Sequence, residues 1–180
     1  MSASLVISTD FRAQFGPARH QGKRPTCMAF AASDGHAHTQ GSSALCPEYL
    51  FFKGIGRTSH GDRTRGIPLS IASAVLEHDG QPEEEKWPYE ADLLPSDEWC
   101  PPDDVEPLYR CPSTNIGKDL DLVWRNIESG TTVMLVMDIS RSFYSAAAVI
   151  NAPAGEVREG THAVLGVGTA RLGQDRLFLI

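Results

Sequence analysis

The sequence lacks the features that mark several large classes of protein. It has no basic surplus, since 16 lysines and arginines stand against 23 aspartates and glutamates, for a net charge of −7. Nucleic-acid binding is therefore disfavoured, because neutralising phosphates requires clustered positive charge. The longest wholly apolar runs, such as residues 133–137, are about a quarter of the length of a membrane span, so no membrane partner is expected. The first ten residues carry no basic region followed by an apolar stretch, so we expect a cytoplasmic protein.

Cysteine pairs at metal-binding spacing are also missing. The four cysteines are Cys27, Cys46, Cys100 and Cys111, and no two of them form a CxxC pair. A zinc site is therefore not expected, and nothing in the sequence calls for another metal or for a cofactor. Without export, free thiols are the default state. A bridge between Cys100 and Cys111 is the alternative for an exported protein.

The length of 180 residues suits one compact domain, or two small lobes that share a cleft. Apolar periodicity, with start and stop signals, predicts helices near residues 27–41, 46–52, 68–78 and 120–127. Strand patterns lie at residues 5–7, 132–137, 161–168 and 176–180. Helices followed by strands indicate an α+β protein, with a site in the cleft between its halves.

The segments between these elements differ in character. Residues 10–25 and 54–66 are polar and rich in glycine or proline, which predicts loops. Residues 81–112 hold seven of the twelve prolines, and they are interpreted as a long ordered segment anchored by Trp87, Tyr89 and Trp99.

Cys27 occupies the position that carries the most chemistry. Pro25 and Thr26 predict that a helix begins beside it, with Thr26 as a candidate N-cap. A thiol is a nucleophile only as the thiolate, and the partial positive charge of a helix N-terminus favours that anion. The position therefore fits a reactive cysteine, and the alternative is an inert thiol buried in the core.

Five segments, in order along the chain, resemble motifs of the papain-like cysteine peptidases. Residues 21–30, Gln-Gly-Lys-Arg-Pro-Thr-Cys-Met-Ala-Phe, are similar to the family's nucleophile segment, Gln-Gly-x-x-Gly-x-Cys-Trp-Ala-Phe. Residues 161–168, Thr-His-Ala-Val-Leu-Gly-Val-Gly, look like the strand that carries the catalytic histidine. The other three resemblances lie at residues 46–52, 66–72 and 80–89. The segment at residues 46–52 looks like the Leu-Ser-x-Glu-Tyr-Leu helix of the family's bacterial members.

The resemblance implies a papain-like fold of two lobes in a single domain, residues 1–180. The helical lobe, with the nucleophile helix, would span about residues 10–112. The β lobe, an antiparallel sheet or barrel, would span about residues 113–180 together with a strand at 4–8.

The resemblance also implies roles for individual residues. Cys27 would be the nucleophile, His162 its base, and the Gln21 amide a donor to the oxyanion of the tetrahedral intermediate. Substrate-binding roles fall on Gly66, Pro68, Val136 and Thr161. Because Pro68 and Val136 are apolar, we expect an apolar pocket for the side chain two residues before the scissile bond. Five other histidines compete with His162, but none of them has an accompanying motif.

The chain departs from the family pattern at several positions. Arg24 replaces a disulfide cysteine near the nucleophile, which fits a reducing compartment. Pro25 and Met28 replace a glycine and a tryptophan of the cleft wall, and neither change removes a catalytic group. Arg65 replaces a glycine and adds charge to the substrate-binding loop.

The family's third catalytic residue, an orienting asparagine, has no match in the sequence. Hairpin symmetry would place it at about residues 182–186, and the sequence ends at Ile180. Three interpretations stay open: a fragment whose last strands are missing, a native chain that works without an orienter, or a partner chain that adds a strand at the open sheet edge after Ile180. Loss of an orienter weakens catalysis without abolishing it.

These patterns favour a cysteine protease that cleaves a polypeptide substrate through an acyl-enzyme thioester. A processing enzyme or acyl transferase dedicated to one protein would use the same intermediate. A catalytically silent binding module is the alternative from another class. The retention of Gln21, Cys27 and His162 together argues against it.

Overall fold

The computed structural model describes residues 4–42, 44–92, 95, 98–145, 149–151 and 153–180. Within them lie four α-helices and five strands, which confirms the predicted α+β class. The helices are α1 (Cys27–Gln40), α2 (Pro47–Arg57), α3 (Leu69–Ala74) and α4 (Leu120–Glu128). The strands are β1 (Leu5–Asp10), β2 (Val133–Ser140), β3 (Arg158–Gly166), β4 (Gly168–Leu172) and β5 (Asp175–Leu179).

The strands form two antiparallel sheets. One has three strands in the order β1-β4-β5, and the other is the pair β2-β3. Over the described residues the sheets do not close, so the part of the prediction that allowed a barrel is wrong. Among the residues that the structure describes, strand β5 pairs with β4 on one side only, and a strand from a partner chain on its other side stays a prediction.

The single strand predicted at residues 161–168 is in fact divided between the two sheets. β3 ends at Gly166 and β4 begins at Gly168, and Val167 makes the switch. Val167 donates its N–H to Leu179 and accepts at its carbonyl from Phe11. Gly168 then packs so closely on β1 that an added Cβ would lie 2.3 Å from the Thr9 carbonyl oxygen. The backbone therefore changes partners at a point where only glycine fits.

Helix α1 is central to the fold because most of its residues are buried, and its exposed residues lie at its C-terminal end. Met28, Ala29, Ala31 and Ala32 are at most 5% exposed. Helices α2 and α3 and strands β2 and β3 all pack against α1. Its end is defined by Gly41, whose φ of 66° places it in the left-handed region. This confirms the predicted stop signal.

Helix α2 begins as predicted but ends later. Pro47 is its first residue, and the Cys46 sulfur accepts a hydrogen bond from the Tyr49 N–H at 3.2 Å. The predicted loop from residue 54 is helical as far as Arg57. Gly54 is not a helix stop here, because its missing Cβ makes room for Ile67, whose Cδ1 would lie 2.7 Å from an added Cβ. Tertiary packing therefore overrides the local preference.

The predicted third helix is present as α3 and a following π-helical turn, Val75–Asp79, which ends at Gly80. The long segment after it has few regular elements, and an isolated bridge pairs Gln81 with Tyr109. Trp87 and Trp99 are each 8% exposed, and the Phe52 ring meets both of them edge-on. Aromatic burial therefore holds this segment against α2, as the sequence predicted for the two tryptophans.

The core lies between α1, the helices packed around it, and the inner face of β3. It combines apolar side chains of α1 and α2 with Ala163, Leu165 and Val167 from the β3 region. The two tryptophans of the long segment close it on the helical side. No helix within the described residues is long and apolar enough to cross a membrane.

His36 is a buried histidine of α1 that has no hydrogen-bond partner among the described residues. Its side chain is 2% exposed, and neither ring nitrogen is paired. Burial lowers the pKa of His36 to about 4, because desolvation disfavours the imidazolium. The folded state therefore keeps His36 neutral.

We predict that acid destabilises the fold through His36. The imidazole titrates near 6.5 when it is exposed, so below that pH the unfolded state binds a proton that the folded state does not. The free energy of unfolding therefore keeps its full value, as far as His36 is concerned, above pH 6.5. It decreases as the pH falls from 6.5 toward 4. At about 1.4 kcal/mol per pKa unit, the loss in the free energy of unfolding is about 3 kcal/mol.

Urea unfolding of the wild type and His36→Leu at about pH 7.5 and about pH 4.5 measures this loss. The decrease should be smaller in His36→Leu by about 2–3 kcal/mol, because that variant has no proton to bind at this site. His78→Gln removes an exposed histidine and should keep the wild-type decrease. Equal decreases in the wild type and His36→Leu would contradict the prediction.

Candidate active site

Three residues that the sequence predicts to be catalytic line one cavity. Gln21 comes from the loop before α1, Cys27 is the first residue of α1, and His162 lies on β3. The cavity has a volume of about 680 Å³ and opens between α1 and the β3 strand. A volume of this size can hold part of a peptide. The fold therefore brings together side chains that are up to 141 residues apart in sequence.

Cys27 is half-buried at the start of α1. The helix begins beside Cys27 as predicted, but the predicted capping role of Thr26 is wrong. Thr26 makes no capping bond, because its hydroxyl lies 2.8 Å from the Tyr89 hydroxyl instead. The first-turn N–H groups of α1 consequently lack a side-chain cap from Thr26, and the thiol belongs to the first residue of that turn. The helix end therefore offers both partial positive charge and hydrogen-bond donors.

His162 is positioned by the β2-β3 pair, where it stands opposite Met137. The Phe143 ring packs edge-on against the imidazole with centroids 5.3 Å apart. Partial burial lowers the pKa of His162, because the cationic form is desolvated. The shift favours a neutral imidazole, which is the form that can accept a proton from a thiol. No described residue forms a hydrogen bond with the ring, so its orientation depends on packing.

Gln21 is held at two points. Its side-chain Nε2 donates to the Arg24 carbonyl oxygen at 2.9 Å, and its own carbonyl oxygen accepts from the Tyr89 hydroxyl at 2.7 Å. A primary amide has two N–H donors, so one remains for another acceptor. The geometry suits a side chain that presents one N–H into the cavity.

A buried ion pair between Arg24 and Glu48 anchors the loop at residues 21–27, which we call the nucleophile loop. Arg24 Nη1 and Nη2 donate to the two carboxylate oxygens of Glu48 at 2.6 and 2.7 Å. The two side chains are 4% and 1% exposed. Trp99 Nε1 donates to the same carboxylate at 2.6 Å, and Arg24 Nη1 also reaches the Glu90 carbonyl oxygen at 2.6 Å. These hydrogen bonds connect the nucleophile loop to α2 and to the long segment at residues 81–112.

Sequence reasoning missed Glu48 and treated Arg24 only as the replacement of a cysteine. A signal for the pair was present. Glu48 precedes the apolar run Tyr-Leu-Phe-Phe in α2, and a carboxylate beside residues that must be buried requires a cationic partner. Which of the 16 basic residues would supply that partner could not be read from spacing.

The four predicted substrate-binding residues lie outside the set that lines the cavity. Gly66 is beside the nucleophile loop, since an added Cβ would be 3.3 Å from the Pro25 carbonyl oxygen. Pro68 precedes α3 and is exposed. Val136 of β2 pairs with Ala163 and is 50% exposed, and Thr161 is the exposed residue before His162. Their roles stay predictions.

Cysteine, histidine and acidic side chains are the groups that could bind a metal ion in this chain. Within the part of the chain that the structure describes, no three cysteine, histidine or acidic side chains are grouped so as to hold an ion. The four cysteines are free thiols, so the alternative Cys100–Cys111 bridge is not formed.

The chain has the fold of the papain-like cysteine peptidases. Xylellain, a cysteine protease from Xylella fastidiosa, is 14% identical, with a TM-score of 0.67 over 99% of this chain and 80% of that chain. Procathepsin L2 proteinase from Tenebrio molitor is 17% identical, with a TM-score of 0.71 over 96% of this chain and 56% of that chain. The cysteine protease CMS1MS2 from Carica candamarcensis, in complex with E-64, is 16% identical, with a TM-score of 0.66 over 94% of this chain and 86% of that chain.

At these identities the likeness shows the fold and leaves the activity to be tested. No protein-family model and no curated protein sequence matches the chain. The predicted papain-like fold is nevertheless confirmed, because the structural likeness covers nearly the whole chain.

We predict that Glu48→Gln lowers the free energy of unfolding by about 3–5 kcal/mol, because it leaves the Arg24 charge buried without a counter-ion. The substituted amide keeps an oxygen for Trp99 Nε1, but its NH2 group then faces Arg24 Nη1, so the change removes the negative charge and one hydrogen-bond acceptor. Chemical denaturation of the purified protein measures the effect. In the double variant Arg24→Met/Glu48→Gln no uncompensated charge remains, and it should be more stable than Glu48→Gln alone. A double variant that is equally unstable would contradict the assignment.

Proposed function

We propose that this chain is a cysteine peptidase that hydrolyses peptide bonds through an acyl-enzyme thioester. The observation that carries the proposal is the convergence of Gln21, Cys27 and His162 on one cavity of a papain-like fold. The known proteins with this fold that are named above are proteases.

The proposed reaction begins with proton transfer from the Cys27 thiol to the His162 imidazole. The sulfur attacks the carbonyl carbon of the scissile peptide bond, and the carbonyl oxygen becomes an oxyanion. As the C–N bond breaks, the His162 imidazolium gives its proton to the leaving amine. Water, deprotonated by the same imidazole, then hydrolyses the thioester and regenerates the thiol.

Two features of the fold support this chemistry. The α1 N-terminus stabilises the Cys27 thiolate through its partial positive charge. The uncommitted N–H of Gln21, together with the backbone N–H groups at the start of α1, can donate to the oxyanion. Preorganised donors of this kind act on charge that develops only in the transition state, so they lower the barrier without strengthening ground-state binding.

We predict that a peptidyl epoxide alkylates Cys27 selectively. Cys100 is exposed and serves as an internal control. Cys46 should not react, because burial raises the pKa of its thiol to about 12. Mass spectrometry of the intact and digested protein locates the adduct and gives its rate at each cysteine.

Selective labelling should fall at least about tenfold in His162→Ala, because the base that generates the thiolate is removed. His60→Ala, an exposed histidine in the 54–66 region, is the matched control and should retain the wild-type rate. Labelling of Cys27 no faster than Cys100 would instead indicate a catalytically silent binding module.

We predict an apolar preference for the substrate side chain two residues before the scissile bond. The expectation rests on the resemblance, which assigns the pocket wall to Pro68 and Val136, and the 50% exposure of Val136 leaves its apolar surface available to a ligand. Val136→Asp should lower kcat/KM for a leucine-containing peptide by about 10- to 100-fold, because 1–3 kcal/mol of apolar contact is lost. Val157→Asp, at a valine that is 77% exposed, should change it little. A peptide-library profile that favours acidic side chains would contradict the pocket.

A further inference from the structure

The Tyr89 hydroxyl joins the two ends of the loop that runs from Gln21 to Cys27. It donates to the Gln21 carbonyl oxygen at 2.7 Å and lies 2.8 Å from Thr26 Oγ1. A phenol has one proton, so Thr26 must be the donor in the second bond. The Tyr89 hydroxyl oxygen therefore holds both Gln21, which carries the side-chain amide, and Thr26, which precedes Cys27.

The Gln21 side chain is held by the same loop. The Arg24 carbonyl oxygen accepts from both Gln21 Nε2 and the Thr26 N–H, each at 2.9 Å. The first bond fixes the plane of the amide, and the second ties that carbonyl to the residue before Cys27. The direction of the remaining Gln21 N–H is consequently set by a closed circuit of four residues.

The Tyr89 ring has little freedom to move away from this circuit. The Arg24 guanidinium lies 4.9 Å from its centroid, and the Phe30 ring meets it edge-on at 4.7 Å. Arg24 is itself immobilised by the Glu48 carboxylate. These two contacts restrain the ring and make the Tyr89 hydroxyl a fixed anchor, which the preorganisation of a transition-state donor requires.

We propose that Tyr89 is a positioning residue for the oxyanion site: its hydroxyl orients the Gln21 amide relative to the Cys27 sulfur. The inference rests on the proposed peptidase function. Tyr89 acts through Gln21 and touches neither substrate nor the reacting atoms. Its contribution is therefore confined to steps in which negative charge develops on the carbonyl oxygen.

The expected size of the effect follows from the donor that Tyr89 orients. Removing one oxyanion donor costs about 10²–10³ in kcat in a well-studied protease. Misdirecting the donor should cost less than removing it, so we expect Tyr89→Phe to lower kcat about tenfold. KM should change less than about twofold, because the lost interaction belongs to the transition state.

Two covalent probes separate positioning from a general structural role. A peptide aldehyde forms a tetrahedral hemithioacetal with Cys27, so its affinity depends on the oxyanion donors. Iodoacetamide alkylates the thiolate by displacement at carbon, without an oxyanion. In Tyr89→Phe the aldehyde affinity should fall about tenfold, in step with kcat, and the alkylation rate of Cys27 should match the wild type. Tyr109→Phe is the matched control, because its hydroxyl lies 3.4 Å from Glu83, and it should leave both unchanged.

A double-mutant cycle tests whether Tyr89 acts through Gln21. Once Gln21→Ala has removed the amide, adding Tyr89→Phe should produce no further loss of kcat. Additive losses, or a matching fall in the alkylation rate, would overturn the positioning role. If Tyr89→Phe fails to fold, Thr26→Val removes the other bond of the hydroxyl. It should lower kcat and aldehyde affinity about threefold with alkylation unchanged, and an unchanged kcat would overturn the inference.

The outcomes also distinguish this inference from the function on which it rests. Wild-type protein that neither cleaves peptides nor binds the aldehyde overturns both. Active wild-type protein with full activity in Tyr89→Phe overturns the positioning role alone.

Discussion

The buried ion pair between Arg24 and Glu48 is the interaction on which the rest of the site depends. Two charges out of water are tolerated only when each is paired and hydrogen-bonded. The Arg24 Nη groups and the Glu48 carboxylate find their partners in three parts of the chain: the loop at residues 21–27, α2, and the long segment through Trp99 and the Glu90 carbonyl. A displacement of any one of them would leave a buried charge unsatisfied. The pair therefore couples the folding of the helical region to the placement of Cys27.

The two sides of the site are positioned by different physical means. On the helical side, hydrogen bonds and the ion pair define the loop from Gln21 to α1. On the sheet side, the β2-β3 register places His162 opposite Met137, and Phe143 packs against its ring. Because α1 is buried against β3 as well as against α2, the same helix that presents the thiol also sets its distance from the imidazole. Fold stability and site geometry are thus properties of one core.

Local signals predicted the helix starts and stops well where the chain's own chemistry decides them. Pro47 opens α2 and Gly41 closes α1 because backbone geometry alone favours proline and glycine there. The predictions were wrong where a distant residue intervenes. Gly54 continues α2 because Ile67 occupies the space of its missing side chain, and Thr26 bonds to Tyr89 instead of capping α1. The strand at 161–168 divides because the N–H of Val167 donates to Leu179 while its carbonyl accepts from Phe11, so the backbone leaves β2 for the other sheet.

By itself the sequence determined the α+β class, the papain-like fold and the identity of the residues proposed for catalysis. The class follows from the order of the helical and strand patterns, and the fold and the candidate residues follow from the resemblance of five segments to motifs of the papain-like peptidases. Only the tertiary structure showed that Gln21, Cys27 and His162 line one cavity and that Arg24, Glu48 and Tyr89 form the framework behind them. Hydrogen bonds and ion pairs between residues as far apart as Gln21 and Tyr89 have no local signature. They exist only once the core has brought their elements into contact.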